Sequence, residues 1–196
     1  MSIHHINQIS RDRGFYISGF SDGEGSFNLS FRKRSDFLIG WKMSPVFNIS
    51  QKERSILTLI KKHLKCGTIR FRKDAVWVFE VDNKTSLINT IIPFFSQYGF
   101  LSSKKKKDFN RFKKLVKIIY QGKKSKTLSE VENVLHLLKD VDSTHSRKYS
   151  NNDILSRARQ FWDKNSDKIE KINNLYILDF ESSETTRQTR SIPQRS

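Results

Sequence analysis

The residues best suited to chemistry are Asp22-Gly23-Glu24-Gly25. Two carboxylates beside glycines offer hard oxygen ligands where a substrate backbone can come close. Mg2+ takes one or two such carboxylates, with phosphate and water oxygens completing its shell. The same four residues also suit a plainer arrangement, with Asp22 as a cap and Glu24 as a solvated charge. The second candidate is the lysine run at 104–107. Four cations at a helix start oppose the helix dipole, so they face an anion or form a solvated helix end. His4 and His5 lie in a frayed-looking terminus. Cys66 reads as a small buried apolar residue, and Trp77 as core rather than a base-stacking platform. A P-loop, a nucleophile elbow and a dinucleotide fingerprint are all absent from the sequence.

These groups sit in a strongly basic chain. Its 196 residues carry 37 Lys and Arg against 20 acids, a formal net charge of +17. Fifteen Phe and 12% aromatics argue for a folded core rather than a disordered basic tail. One Cys, 8 Gly and 3 Pro exclude a disulfide scaffold, the usual zinc patterns and collagen-like repeats. No apolar run approaches the roughly 18–20 residues that span a bilayer, and the first residues lack a secretory h-region, so no membrane partner is expected. The charge is concentrated: residues 101–126 hold 11 Lys/Arg and one acid, Asp108. A localised excess of this kind points to a polyanion, with nucleic acid first.

The hydrophobic periods predict what must position these groups. Residues 12–24 read as a helix with Tyr16, Ile17 and Phe20 on one side. Strands follow at 26–34 and 42–52, with Pro45 marking an irregularity or an edge. A helix at 53–65 stops near Gly67. Strands at 68–73 and 75–82 come next, then a helix at 85–98 kinked or ended by Pro93. A long basic helix at 104–121 carries Phe109, Phe112, Val116 and Ile119 as its apolar stripe. Further helices are expected at 128–141 and at 152–163, the latter capped by Asn152. The order α-β-β-α-β-β-α defines an α+β fold with a four-stranded antiparallel sheet, helices on one face, and extra C-terminal helices. The organisation expected is one domain over 1–175, with a helical extension from about residue 122 and a flexible tail at 176–196. The sheet's other face alternates polar and basic, and a twisted antiparallel ribbon fits a DNA major groove.

The run from Ile17 to Gly25, ISGFSDGEG, resembles the LAGLIDADG motif of homing endonucleases. The segments SFNLSF, PVFNISQKE at 45–53, CGTIRFRKDAVWVFEVDNKTSL at 66–87 and SKKKKDF at 103–109 extend the likeness, in order, over about residues 10–120. The resemblance implies the same αββαββα fold. It implies that motif helices bearing Gly19, Phe20, Asp22 and Gly23 pack together across two subunits, because only one motif copy is present and single-copy members act as homodimers. It makes Glu24 the ligand of a divalent metal, Mg2+ or a substitute, in the place where the motif's name carries Asp. Asp22 then has a capping role, Gln51 organises water, and Lys104, with Lys105 close behind, sits by the scissile phosphate. Arg54 lies near the place where some relatives carry a further basic residue.

The function expected is a site-specific endonuclease that makes double-strand breaks in a long near-palindromic DNA site. Contacts to double-stranded DNA are expected from Asn28, Ser30, Arg32, Arg34, Lys42, Ser44, Asn48, Ser50, Arg70, Arg72, Val76, Val78 and Glu80. Lys105 and Lys113 are expected on phosphate. Two alternatives stand beside this: an RNA maturase that binds an intron on the same scaffold, and a DNA-binding protein with an inactive site. By resemblance, an organelle, chloroplast or mitochondrion, is the expected compartment.

Overall fold

The structure, a computed structural model, describes residues 3–120, 127–138 and 148–165. A 3-10 turn at Ile3–Gln8 leads into helix α1, Arg11–Glu24. Strands β1, Gly25–Lys33, and β2, Trp41–Gln51, form a long hairpin. Helix α2, Arg54–Leu64, connects to a shorter hairpin of β3, Thr68–Phe71, and β4, Trp77–Val81. Helical turns follow at α3, Lys84–Ser86, a π turn, Leu87–Ile91, and α4, Ile92–Tyr98. Helices α5, Ser103–Tyr120, α6, Leu128–Leu137, and α7, Asn151–Lys164, complete the described chain. The four strands form one antiparallel sheet in the order β1-β2-β4-β3. The α+β fold expected from the sequence is the fold observed.

Strict alternation in β2 places the helices. Trp41, Met43, Phe47 and Ile49 are buried, while Lys42 is exposed and Ser44, Asn48 and Ser50 are partly so. Residues at a two-residue period share a face, so among the described residues the helices cover one face only. Phe27 joins this core through ring contacts of 5.0–5.8 Å to Phe47, Phe95, Phe100, Phe109 and Phe112. A second apolar cluster lies under the far half of the long hairpin. There Ile39, Trp41 and Met43 meet Leu115, Ile119, Val131, Val134, Ile154 and Ala158. The indole N–H of Trp41 donates to the Ile154 carbonyl at 3.0 Å. Thus α6 and α7 continue the helical layer beneath the hairpin's outer end.

Several boundaries differ from expectation. Pro45 sits within central strand β2, but the β2–β4 ladder begins only at Phe47, so its missing N–H breaks no ladder on that side. Pro93 does not end its helix. The preceding π turn widens the backbone where proline lacks a donor and its ring crowds the previous turn. Helix α2 ends at Lys65, in the left-handed region at φ 52°, ahead of Gly67. Strand β3 stops at Phe71 because a turn intervenes: Arg72 N–H donates to Val76 O at 2.8 Å, and Ala75 adopts φ 60°. Arg72 and Val76 therefore belong to the turn. Arg34 likewise lies just beyond β1. The cap of α7 is Ser150 rather than Asn152. Asp153 N–H donates to Ser150 Oγ at 3.1 Å, and Ser150 N–H to Asp153 Oδ2 at 3.0 Å. The expected tail at 176–196 lies outside the described residues.

Candidate active site and nucleic-acid interface

Helix α1 has two small-residue faces. One, formed by Gly14, Ile17, Ser18 and Ser21, is buried. Ser18 Oγ donates to the Gly99 carbonyl, and Ser21 Oγ donates back to Ile17 O at 2.7 Å. The opposite face carries Tyr16, Gly19 and Gly23, and a Cβ built on either glycine would meet nothing within 4 Å. Beyond Glu24 the chain turns directly into β1 at the buried Gly25.

Asp22 stitches this junction to α5. Its Oδ2 accepts from Leu101 N–H and Ser102 N–H, each at 2.9 Å, and its Oδ1 accepts from Ser102 Oγ. Burial would raise this carboxyl, but the Ser102 and Leu101 hydrogen bonds and the nearby Lys105 hold it below the ordinary aspartate range. The geometry is that of a cap at the start of α5.

The lysine run resolves around this stitch. Lys104 is exposed, whereas Lys105 is partly buried and its ammonium donates to the Gly25 carbonyl. Burial pushes the Lys105 ammonium below the usual lysine range, although Asp108, Asp22 and Glu24 pull it the other way. Lys105, rather than Lys104, therefore reaches the Asp22–Gly25 junction. The sequence held a signal for this: Lys105 lies four residues before Phe109 and seven before Phe112, in phase with the buried stripe.

Gln51 comes to the same place through β-pairing. Gly25 lies opposite Ile49, so the Gln51 end of β2 sits beside the start of β1. Trp77 pairs with Gln51, and the Arg54 guanidinium lies 4.8 Å from the Trp77 ring centroid. The structure thus brings Glu24, Gln51, Lys105 and Arg54 to one end of the sheet. Among the described residues no three His, Cys, Asp or Glu side chains gather. Glu24 is exposed, and an exposed carboxylate fits a hard cation that keeps phosphate and water in its shell, not one caged by protein.

The sheet's outer face runs away from this end in cross-strand rows. Ser50, Val78 and Arg70 form one row, and Asn48, Glu80 and Thr68 the next, with Ser26 opposite Asn48. Asn28 faces Val46, Ser30 faces Ser44, and Arg32 faces Lys42. Ser26, Val46 and Thr68 thus join the residues expected there. Val78 shares the face but is only 2% exposed, so it floors its row beneath its neighbours instead of offering contact surface. Arg34 and Arg72 flank the face from their turns, paired with Asp36 and Asp74, each at 2.7 Å. Lys113, on α5, lies over the Phe109 ring at 4.9 Å, on the helical side of the sheet.

The family model for LAGLIDADG endonuclease matches residues 17–116. The chain belongs to the LAGLIDADG endonuclease family. It is 32% identical over 117 residues to the DNA endonuclease I-CeuI of Chlamydomonas moewusii, covering 57% of this chain and 54% of that protein. It is 25% identical over 103 residues to the homing endonuclease I-ApeII of Aeropyrum pernix, covering 52% and 60%. This LAGLIDADG chain therefore spans a little over half the length of those curated relatives. Among solved structures, it resembles the archaeal intron-encoded homing endonuclease I-Vdi141I complexed with DNA. The TM-score is 0.67 with 30% identity, over 76% of this chain and 96% of that one.

Proposed function

We propose that the chain is a homodimeric, site-specific DNA endonuclease that hydrolyses phosphodiester bonds with the help of a divalent cation. The observation that carries this reading is the junction of two features. An uncovered polar and basic sheet face ends at the cluster of Glu24, Gln51 and Lys105. On that face Arg32 and Lys42 stand directly opposite each other, with no ion pair to either among the described residues. Like charges so placed destabilise a sheet, and a polyanion in contact reverses the sign. The relatives named above, one of them solved with DNA, support DNA as that polyanion.

Two copies are needed because one chain supplies one Glu24. The open α1 face at Tyr16, Gly19 and Gly23 lets a second α1 approach closely, bringing two Glu24 ends together. Phe15 and Leu101 at 48% and 90% exposure flank that approach. In this arrangement Glu24 would hold the divalent cation, which when bound would supply an activated water and offset charge developing on the phosphate. Lys105 neutralises the phosphate from the other side, and Gln51 orients the attacking water. The outer-face residues fix which sequence is cut, through arginine on guanine and asparagine on adenine. Because one relative is archaeal, an organelle is one setting for such a gene rather than the rule.

The test selects cleaved molecules from a randomised palindromic DNA library in Mg2+. Wild type is expected to return one consensus. Glu24→Gln is expected to abolish cutting of that consensus while binding it within about tenfold, since few DNA contacts are lost. A mutant that cuts at near wild-type rate refutes the metal assignment.

A further inference from the structure

The outer end of the long hairpin holds a second basic site, away from the cleavage end and meeting the reading face at Arg32. A cleft opens along β1, the sheet's edge strand, between residues 29–33 and the segment entering α7. Its lining includes Arg32, Lys33, Lys148 and Tyr149, and among the described residues no carboxylate. Lys33 Nζ and Lys148 Nζ lie 5.1 and 5.6 Å from the centroid of the same Tyr149 ring. That ring is fixed by Trp41, 4.9 Å away edge-on, and Trp41 is itself buried and hydrogen-bonded to Ile154. Among the described residues Asp153 lies close enough to Lys33 to feel its charge, while its Oδ2 accepts from Ser150 N–H and Oγ at the α7 cap.

Packing of α7 is already secured by its capping box and by Trp41. Neither requires two ammonium groups to share one aromatic ring. With Arg32 beside them, the two ammonium groups concentrate positive charge at the cleft, and an anion entering it gains from all three. Its distance from the cleavage end fits a phosphate of the same DNA. Lys33 is eight residues along β1 from Gly25, or about 26 Å at roughly 3.3 Å per residue. At about 3.4 Å per base step, that is about eight base pairs outward from the cut.

We propose that this cleft grips a DNA backbone phosphate about eight base pairs from the scissile bond, making the segment from Lys148 into α7 an outer clamp. The proposal rests on the reading of the chain as a DNA endonuclease. Lys33 and Lys148 are both exposed, so replacing them leaves the core intact. The experiment uses the consensus recovered by the cleavage selection. Salt dependence of binding and phosphate-ethylation interference are compared for wild type and the Lys33→Gln/Lys148→Gln double variant. The double variant is expected to lower the salt slope by about two and to erase interference at the outer phosphates alone. On a duplex trimmed to end inside that position, the two proteins are expected to share one slope. An unchanged slope and interference pattern on the full site overturns the clamp, as does a loss confined to intron RNA. If wild type yields no consensus at all, the endonuclease reading fails instead, and the two failures are thereby told apart.

Discussion

Replacing Lys105 by Met separates catalysis from stability. Methionine keeps the length and apolar stem of the lysine but removes its ammonium. The Lys105 ammonium donates to the Gly25 carbonyl and is pushed down in pKa by burial, against the opposing pull of Asp108, Asp22 and Glu24. A base whose folded pKa lies below its unfolded value binds its proton more weakly in the native state, so the charged form opposes folding. That penalty is present at neutral pH and shrinks as pH rises through the folded pKa toward the ordinary lysine value. Lys105→Met is therefore expected to leave Tm equal or higher at neutral pH, each kcal/mol gained adding about 2–4 °C. Any gain should narrow near pH 10. Its cleavage rate moves the other way. One charge-assisted hydrogen bond to phosphate is worth about 1.5–3 kcal/mol, which is roughly a tenfold to hundredfold loss in single-turnover rate at saturating protein. Lys104→Met, at an exposed position, is expected to weaken affinity and reduce the salt slope by about one while changing that rate less than about threefold. The measurements are thermal unfolding at two pH values and single-turnover cleavage. If Lys104→Met slows the saturated rate more than Lys105→Met, or if Lys105→Met lowers Tm, the assignment from burial and phase is wrong.

Two glycines on opposite faces of α1 give further contrasts. A Cβ at Gly14 would stand 2.1 Å from Tyr98 Cε1, and the buried Tyr98 ring is tethered by its hydroxyl donating to Ile9 O at 3.0 Å. Overpacking of about 1–3 kcal/mol then exceeds the roughly 1 kcal/mol helix gain, so Gly14→Ala is expected to lower stability in urea unfolding. Gly19→Leu meets no atom within 4 Å in the single chain. It is expected to keep or raise the stability of the monomer while light scattering shows the dimer lost. A Gly19→Leu protein that remains dimeric and active removes α1 as the interface.

The parts of the fold that were legible in the sequence are those set by local period. Residues 42–50 alternate because one face meets Phe27 and Phe95 while the other meets solvent, so even and odd positions differ in chemistry. The identity of Glu24 and Asp22 as a distinct pair was legible from their glycines, and their division of labour only from the resemblance. Which lysine of the run reaches the Asp22–Gly25 junction was ambiguous because four identical side chains carry no contrast. Only the rotation of α5 against Gly25 distinguishes them, and that rotation is set by Phe109 and Phe112 below. The α7 cap was expected two residues late, at Asn152, because the reciprocal bonds between Ser150 and Asp153 that fix the start of the helix are not a matter of period. The docking of α7 had no local signal, since Trp41 and Ile154 are 113 residues apart in sequence. The shortening of β3 and β4 came from turn chemistry: an Arg72–Asp74 pair and a left-handed Ala75 displace Arg72 and Val76 from the strands.

The distribution of ion pairs over the outer face divides the proposed DNA contacts by task. Near the cleavage end Arg70 is bonded to Glu80 at 3.1 Å, and Arg72 to Asp74 at 2.7 Å, with the arginines about half exposed. Pairs this open contribute about 0–1 kcal/mol, so exchanging the acid for a base edge or phosphate costs little. Before DNA arrives, the acid holds each planar fork in a defined direction, which suits bidentate recognition of guanine. Toward the outer end one arginine, Arg34, is likewise paired, with Asp36 at 2.7 Å, but beside it Arg32 and Lys42 oppose each other, and Lys33 and Lys148 share one ring with no acid lining the cleft among the described residues. Groups stored in repulsion gain by neutralisation whatever the sequence beside them, whereas groups stored in ion pairs gain only where the new partner's geometry matches the old. Sequence discrimination then falls mainly to the rows nearest the cut, and sequence-independent grip to the far end of the hairpin, where the C-terminal helices brace it.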